Sequence, residues 1–357
     1  MSHAARASID LSALRHNLEQ VRLNAPNSRV LAVIKANGYG HDVVRVARAL
    51  NDAEAFGVAC QEEALLLRQA GVRHPILLLQ GFNDAEELAV ISTHDLDTVV
   101  HDRRQIELLE QVQLNKPVTV WLKIDTGMNR LGIPVAEAAE AFQRLNNRPN
   151  VAQVRLMSHF ATADDRADGR CEAQLTRFLD TTEGLEAERS LANSGGVLGW
   201  PAARLEWVRP GIMLYGVSPF GDSVGADHGL RPVMNLTTAL VATKPVAKGD
   251  YVGYGSAWTA PRDMVLGIAS IGYGDGYPRH APPGTPVLVN GRRAPLVGCV
   301  SMDIIAVDLS DQPGAAIGDP VVAWGADLPV EEIARCAATI PYELLCQVTR
   351  RVRQVTV

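Results

Sequence analysis

The sequence predicts two domains: an N-terminal (β/α)8 barrel of the TIM type over residues 1–230 and a mainly β C-terminal domain over residues 231–357. With 357 residues, the chain is too long for one ordinary domain. Up to about residue 210, short apolar runs alternate with amphipathic stretches, a pattern typical of a parallel sheet. After about residue 230, apolar runs follow one another without helices between them, which indicates a mainly β domain.

Eight apolar runs are the predicted barrel strands. In chain order they are Val30–Ile34, Ala55–Ala59, Ile76–Leu79, Thr98–Val100, Val118–Ile124, Val151–Met157, Ser190–Ala192 and Leu205–Val208. Between them, Gln61–Ala70 and Arg103–Val112 have apolar residues at helical spacing. Eight such units fit a (β/α)8 barrel, whose usual size is about 250 residues. The main alternative is an open doubly wound sheet, but the glycine fingerprint typical of that fold does not follow the first strand.

The C-terminal part contains turn signals between its apolar runs. Asn290 and Gly291 stand between two apolar stretches and predict a β-hairpin. Leu328–Val348 predicts a helix, with Pro329 near its start and Pro341 interrupting it. The second domain is therefore expected to carry its helix near the C-terminus.

Composition and charge exclude several classes of protein. The net charge of −6 disfavours a nucleic-acid partner, which would require the opposite balance. The scattered cysteines form no CxxC pair, which argues against a disulfide framework and a thiolate zinc site, and no metal is expected. They are Cys60, Cys171, Cys299, Cys336 and Cys346. No signal peptide is expected at the start, and no apolar run approaches the length of about 18–20 residues that a membrane helix needs, so we expect a soluble cytoplasmic protein.

Chemically active side chains follow the predicted barrel strands where each strand ends. Lys35, His159 and Arg209 are among them, and Ser194 follows the seventh strand. In barrels of this kind the carboxyl ends of the strands form the active-site face, and the loops after strands seven and eight commonly hold phosphate. A reactive lysine beside a phosphate cradle suggests pyridoxal 5′-phosphate (PLP), which needs an amine for its aldehyde and an anchor for its phosphate.

Eight motifs, in order, resemble those of the alanine racemase family. They are Ala32–His41, Trp121–Gly132, Met157–Phe160, Ala192–Ser194, Val208–Ile212, Val252–Gly255, Gly272–Tyr277 and Ser301–Asp303. The resemblance covers essentially the whole chain. Gly38 and Asp42 differ from the expected Ala and Gly, at positions that carry no chemistry.

This resemblance implies a PLP-dependent isomerase that interconverts L-alanine and D-alanine. Racemisation removes the α-proton from one face of the α-carbon and returns it to the other, so two bases are expected. Lys35 would form the aldimine with PLP and act on D-alanine. Tyr254, contributed by the partner subunit of a head-to-tail homodimer, would act on L-alanine.

The resemblance also implies roles for the other site residues. Arg130 and Met302 would bind the substrate, and Arg209 would face the pyridine nitrogen of PLP. The phosphate would be held by Tyr39, Ser194, Gly211, Ile212 and Tyr342. The supporting residues would be His159, Lys123, Tyr273 and Asp303. Two adjacent cations at Lys123 and Arg130 would repel each other, and the family resolves this by carbamylating the lysine.

Two other functions are compatible with the same scaffold. An amino-acid decarboxylase would use a catalytic cysteine and a glycine-triplet phosphate loop, but here Ser301 precedes Met302 and no such triplet exists. A PLP carrier without turnover is typically a single barrel and lacks a second domain. The sequence leaves open whether the enzyme supplies D-alanine for peptidoglycan or starts the breakdown of D-alanine, and whether serine or larger amino acids are accepted.

Overall fold

A computed structural model describes residues 5–357, which divide into two compact units. The first consists of residues 15–214 and 219–222. The second consists of residues 5–14, 215–218 and 223–357. We refer to them as the barrel unit and the β unit.

The barrel unit is built on parallel strands that close into a ring. Across the described residues, eight strands form this ring: Arg29–Val33, Ala55–Val58, Ile76–Leu78, Asp97–Val100, Val118–Asp125, Val151–Met157, Arg189–Ser190 and Trp207–Val208. The ring closes because Trp207–Val208 pairs with Arg29–Val33. The short strand Ile133–Pro134 pairs with the end of Val118–Asp125. This confirms the predicted (β/α)8 class.

The strands of the ring are apolar because both of their faces are covered. Ala55–Val58 and Ile76–Leu78 are buried at every position, as expected where helices cover a parallel sheet. The predicted strands agree to within a few residues, and the largest differences are at the seventh and eighth. There, residues 191–192 and 205–206 lie outside the regular ladder, so two-residue strands lead directly into the site loops.

Helices precede or connect the strands of the ring. They are Leu11–Asn24, Val43–Ala49, Gln61–Gln69, Ala85–Thr93, Arg103–Gln111, Ala138–Asn146, Arg170–Thr182 and Ser194–Gly199. Side chains of Asp84 and Asp102 cap two of them by accepting backbone N–H groups at 2.9 and 2.8 Å. Within residues 5–357, no helix has the length and apolar character needed to cross a membrane.

The β unit contains a second, mostly antiparallel sheet. Its strands are Arg6–Ile9, Met234–Val246, Met264–Ala269, Pro286–Val289, Arg292–Val297, Ile305–Asp308, Pro320–Trp324 and Arg353–Thr356. Tyr251–Val252 and Trp258–Thr259 form a separate small hairpin. Arg6–Ile9, which the sequence did not predict, lies between Met234–Val246 and Arg353–Thr356. The mainly β character predicted for this region is confirmed.

Two local predictions in the β unit are also confirmed. Pro286–Val289 and Arg292–Val297 form a hairpin around Asn290 and Gly291, whose φ values of 49° and 75° suit a tight primed turn. The predicted late helix forms in two parts, Val330–Cys336 and Pro341–Gln347. The first ends where Ala338 adopts a left-handed φ of 51°, and Pro341 begins the second, where its missing N–H costs nothing.

Candidate active site

Lys35 follows the first barrel strand directly and begins an unusual turn. The four residues after it, 36–39, all have positive φ, between 51° and 64°. Each non-glycine residue in this left-handed region costs about 1 kcal/mol or more. Hydrogen bonds from Gly38 N to Ile34 O at 2.9 Å and from Gly40 N to Ala36 O at 3.0 Å close the turn. The backbone is therefore strained directly after the residue expected to be most reactive.

The loops after the seventh and eighth strands meet Tyr39 from this turn. The Ser194 hydroxyl accepts the backbone N–H groups of Gly211 at 2.9 Å and Met213 at 3.3 Å. A Cβ atom on Gly211 would lie 2.4 Å from the Tyr39 hydroxyl, so these two residues touch. Ile212, the residue after Gly211, is fully buried. The hydroxyls of Ser194 and Tyr39 thus meet at the Gly211 backbone.

Arg209 lies buried at the end of the eighth strand and contacts His159. Its Nη1 donates to the Ser190 hydroxyl at 2.6 Å. Its Nη2 donates to the Ser158 carbonyl at 2.6 Å and to His159 Nδ1 at 3.2 Å. Burial lowers the pKa of Arg209 to about 10, so the guanidinium remains charged at neutral pH. Since Arg209 donates to Nδ1, His159 carries its proton on Nε2.

Cations converge around Lys123, which is buried on the fifth strand. Burial is the main cause that lowers its pKa to about 8, and the charges of Arg209, Arg130 and Lys35 lower it further. The carboxylate of Asp125 opposes this shift. Arg130 itself is exposed, in the loop after the strand. The barrel therefore brings Lys35, Lys123, Arg130, His159 and Arg209 to one end.

A buried polar network beneath this end was missed by the sequence analysis. Gln174 lies on the helix Arg170–Thr182, and its amide nitrogen donates to the His159 carbonyl at 3.0 Å. Its side-chain oxygen accepts the Ala161 N–H at 2.9 Å. The Thr126 hydroxyl hydrogen-bonds the Ser158 hydroxyl at 2.8 Å. Nothing in the spacing of Gln174 distinguishes it from other polar helix residues, so only the fold identifies it.

The remaining predicted residues lie in the β unit, near one another. Gly253, which precedes Tyr254, lies against the backbone of Cys299. Backbone hydrogen bonds from Tyr273 N to Ser301 O at 3.0 Å and from Gly274 N to Met302 O at 2.8 Å join two further loops. Arg351 donates to Asp303 at 2.7 Å. Tyr342 is partly exposed near the start of the last helix.

Large apolar side chains are exposed on these loops of the β unit. Tyr254 is 70% exposed, Met302 51% and Tyr273 40%. Side chains of this size and character are usually covered when they are clustered. The structure thus presents the predicted substrate-side residues of the β unit on its surface.

Family models match both halves of the chain. The alanine racemase N-terminal domain matches residues 9–219, and the alanine racemase C-terminal domain matches residues 233–356. An alanine racemase of Nitrosococcus oceani is 55% identical over 351 residues, covering 97% of this chain and 98% of the relative.

Solved structures agree with these matches. The biosynthetic alanine racemase of Pseudomonas aeruginosa superposes with a TM-score of 0.97 at 48% identity, covering 99% of both chains. The alanine racemase of Bartonella henselae, solved with covalently bound pyridoxal phosphate, superposes with a TM-score of 0.88 at 31% identity, again covering 99% of both chains.

Proposed function

Because this chain belongs to the alanine racemase family of isomerases, we propose that it interconverts L-alanine and D-alanine with PLP as its cofactor. One observation carries the proposal. The Lys35 amine follows a buried strand at the same barrel end as the hydroxyl cradle of Ser194 and Tyr39 and the buried Arg209. This set offers an amine for an aldehyde, donors for a phosphate and a fixed cation for a ring nitrogen.

The residues present fit PLP. Its aldehyde would react with Lys35, and its phosphate would be held by Tyr39, Ser194, Gly211, Ile212 and Tyr342. Gly211 suits this place because a side chain there would meet the Tyr39 hydroxyl. Covalently bound pyridoxal phosphate in the Bartonella henselae relative supports the same cofactor here.

Two bases would move the α-proton. When bound, PLP draws electrons from the α-carbon and makes its C–H bond acidic. The Lys35 amine would remove or return the proton on the face used by D-alanine. The hydroxyl oxygen of Tyr254 would do so on the face used by L-alanine. Since the unperturbed pKa of tyrosine is about 10, this oxygen needs hydrogen-bond donors to act near neutrality. His159, protonated on Nε2 and backed by Arg209, would be one of them.

The second base would come from a second copy of the chain. Tyr254, Met302 and Tyr273 are exposed on adjoining loops of the β unit, as expected of side chains that complete a neighbouring site. We infer a head-to-tail homodimer in which the C-terminal domain, residues 231–357, contributes to the active site of the partner's barrel, residues 1–230. Asp303 and its ion pair with Arg351 would hold the Met302 loop.

Substrate would be held by its carboxylate and its methyl group. The Arg130 guanidinium would orient the carboxylate, since it presents several donors in a fixed plane. Met302 would contact the methyl side, and Tyr273 would narrow the entrance.

A pKa of about 8 leaves part of Lys123 as the neutral amine at neutral pH, and the neutral amine is the form that reacts with CO₂. We infer that Lys123 is carbamylated and that its anion pairs with Arg130.

In the cell, the enzyme would convert L-alanine to D-alanine. The structural relative from Pseudomonas aeruginosa is named as a biosynthetic enzyme, which favours this role over alanine catabolism. D-alanine made in the cytoplasm would then serve peptidoglycan synthesis. Serine would still be accepted, because one extra polar group in an apolar pocket changes affinity only modestly.

The test is exchange of the α-proton in deuterated water across a panel of amino acids, read for both enantiomers. The expected result is deuterium at the α-carbon of both products from alanine, with loss of exchange in Lys35→Ala. Tyr254→Ala should keep PLP and lose exchange from L-alanine more than from D-alanine. Normal racemisation by Tyr254→Ala would refute the two-base assignment. Release of CO₂ from a basic amino acid, or PLP binding without exchange, would refute the racemase.

A further inference from the structure

The turn after Lys35 has a backbone conformation that its own residues do not favour. Asn37 and Tyr39 have φ values of 54° and 51°, with Gly38 at 64° between them. Residues other than glycine rarely adopt this left-handed region, and a run of them persists only where the surroundings hold it. The groups that hold the turn therefore set where its ends, Lys35 and Tyr39, are placed.

Glu63 joins the turn to the neighbouring strand. Its Oε1 accepts the backbone N–H of Asn37 at 3.0 Å, and its Oε2 accepts the backbone N–H of Ala59 at 2.9 Å. Ala59 follows the strand Ala55–Val58, which pairs with the strand that precedes Lys35. One carboxylate therefore ties the left-handed turn to the carboxyl end of an adjacent barrel strand.

His41 holds the other half of the turn. Its Nδ1 lies 3.1 Å from the Gly38 carbonyl oxygen and 2.8 Å from the Tyr39 carbonyl oxygen. Carbonyl oxygens only accept, so Nδ1 carries the proton and donates to them. The ring is fully buried, and burial is the main cause that lowers its pKa to about 4. The ring is thus neutral near pH 7 and keeps this donor arrangement.

We propose that Glu63 and His41 are positioning residues that hold the left-handed turn, so that the Lys35 amine and the Tyr39 hydroxyl meet the cofactor together. Both act through the backbone of residues 37–39 rather than on the reacting atoms. The placement of Tyr39 matters because its hydroxyl touches Gly211 in the phosphate cradle. The inference rests on the PLP site proposed above.

Matched variants of the full-length holoenzyme separate positioning from general stability. Glu63→Gln keeps the side-chain size but replaces one acceptor oxygen by an NH₂ group, so one of its two backbone bonds is lost. His41→Leu removes the ring donor. His41→Asn is the rescue variant, because its amide nitrogen falls near the place of Nδ1.

The controls change the same residue types away from the turn. Glu62→Gln alters the exposed neighbour of Glu63. His74→Leu removes a histidine whose Nε2 lies 2.9 Å from the Asn51 carbonyl, just before the strand Ile76–Leu78 begins and so at the opposite end of the barrel. Both controls are expected to keep the wild-type affinity for PLP.

Three measurements are read for each variant: PLP affinity by absorbance titration, kcat and KM for alanine, and a crystal structure. We expect Glu63→Gln and His41→Leu to bind PLP about tenfold more weakly, the factor that corresponds to one hydrogen bond. At saturating PLP they should lower kcat with KM for alanine unchanged, because the amine rather than the substrate site is displaced. His41→Asn should restore most of the affinity.

The proposal would be overturned if Glu63→Gln and His41→Leu both bind PLP with wild-type affinity and leave residues 36–39 unmoved. It would also be overturned if the two controls lose as much PLP affinity as these variants do. If His41→Leu does not fold, Glu63→Gln decides, since that side chain is partly exposed. If the wild-type chain binds no PLP, the proposed function fails but the crystal structures still decide this inference. A shift of Lys35 Nζ and Tyr39 Oη in the variants then supports it, and unchanged positions refute it.

Discussion

Gly211 lies against the hydroxyl of Tyr39, where a methyl group would be 2.4 Å from the phenol oxygen. We expect Gly211→Ala to push this hydroxyl out of the phosphate cradle and to weaken PLP binding about tenfold, the effect of one lost hydrogen bond. Stability should change little, because the atom displaced is the end of a side chain. Absorbance titration with PLP measures the effect.

The matched control for this change is Gly169→Ala. Gly169 has a φ of −62°, and a Cβ there meets nothing within 4 Å. This variant should therefore bind PLP as the wild type does. An unchanged affinity in Gly211→Ala would show that the Tyr39 hydroxyl plays no part in holding the phosphate.

His159 is expected to stay neutral across the physiological pH range. Burial lowers its pKa well below 6.5, and the charges of Arg209, Lys123, Arg130 and Lys35 act in the same direction. A histidine whose pKa is lowered by folding binds fewer protons in the folded state, so stability falls as the pH drops below 6.5.

We therefore predict that the free energy of unfolding of His159→Gln falls less steeply below pH 6.5 than that of the wild type. Denaturant titrations at several pH values measure the two slopes. Nitrogen NMR should find the His159 proton on Nε2 at pH 7, and a proton on Nδ1 would contradict the hydrogen bond from Arg209.

At the scale of elements, the barrel strands carry an aromatic and ionic layer below the site. Arg155 lies 5.2 and 5.0 Å from the ring centres of Trp121 and Trp207. It also forms ion pairs with Asp97 at 3.2 Å and Glu188 at 2.9 Å. Lys123 follows Trp121 by two positions, and Arg209 follows Trp207 by two positions. Because side chains two residues apart on a strand share a face, this layer lies directly beneath Lys123 and Arg209.

Removing the cation from this layer should destabilise the barrel strongly. Arg155→Met leaves the Asp97 carboxylate, which is 13% exposed, without its cation, and a broken pair of this kind costs about 3 kcal/mol. The control is Arg103→Met, which removes an exposed ion pair with Glu137 and should leave the free energy of unfolding nearly unchanged. Equal stability of the two variants in urea would show that the layer contributes nothing.

Local patterns predicted most elements but not those stabilised by distant partners. The strand Val151–Met157 was predicted with its observed bounds because five of its seven residues are apolar, which is a strong local signal. Arg6–Ile9 was not, since its alternation of polar and apolar residues extends over only four positions and is a weak local signal. It forms a strand because Met234–Val246 and Arg353–Thr356, more than two hundred residues away, supply its hydrogen bonds.

At the scale of the whole molecule, the proposed shared site makes subunit mixing informative. Lys35→Ala and Tyr254→Ala should each fail to racemise alanine as a pure protein. In a mixed dimer, one site would combine the intact Lys35 of one subunit with the intact Tyr254 of the other. Random mixing should therefore restore about a quarter of the wild-type activity, as the symmetry of a two-fold dimer requires.

The control for mixing is Lys35→Ala combined with a chain that carries both substitutions. No dimer of that pair has a complete site, so it should stay inactive. If the first mixture also remains inactive while native mass spectrometry shows mixed dimers, both bases belong to one chain and the head-to-tail arrangement is wrong.

The sequence alone determined the barrel class, the mainly β character of the C-terminal part and the chemistry at the strand ends. These depend on local periodicity and on which residue follows each apolar run, as with Lys35 and Arg209. Only the tertiary structure decided how Glu63 and His41 hold the left-handed turn and how Arg155 is placed between Trp121 and Trp207. Contacts of this kind join side chains from separate elements, and closure of the barrel sets the register that brings them together.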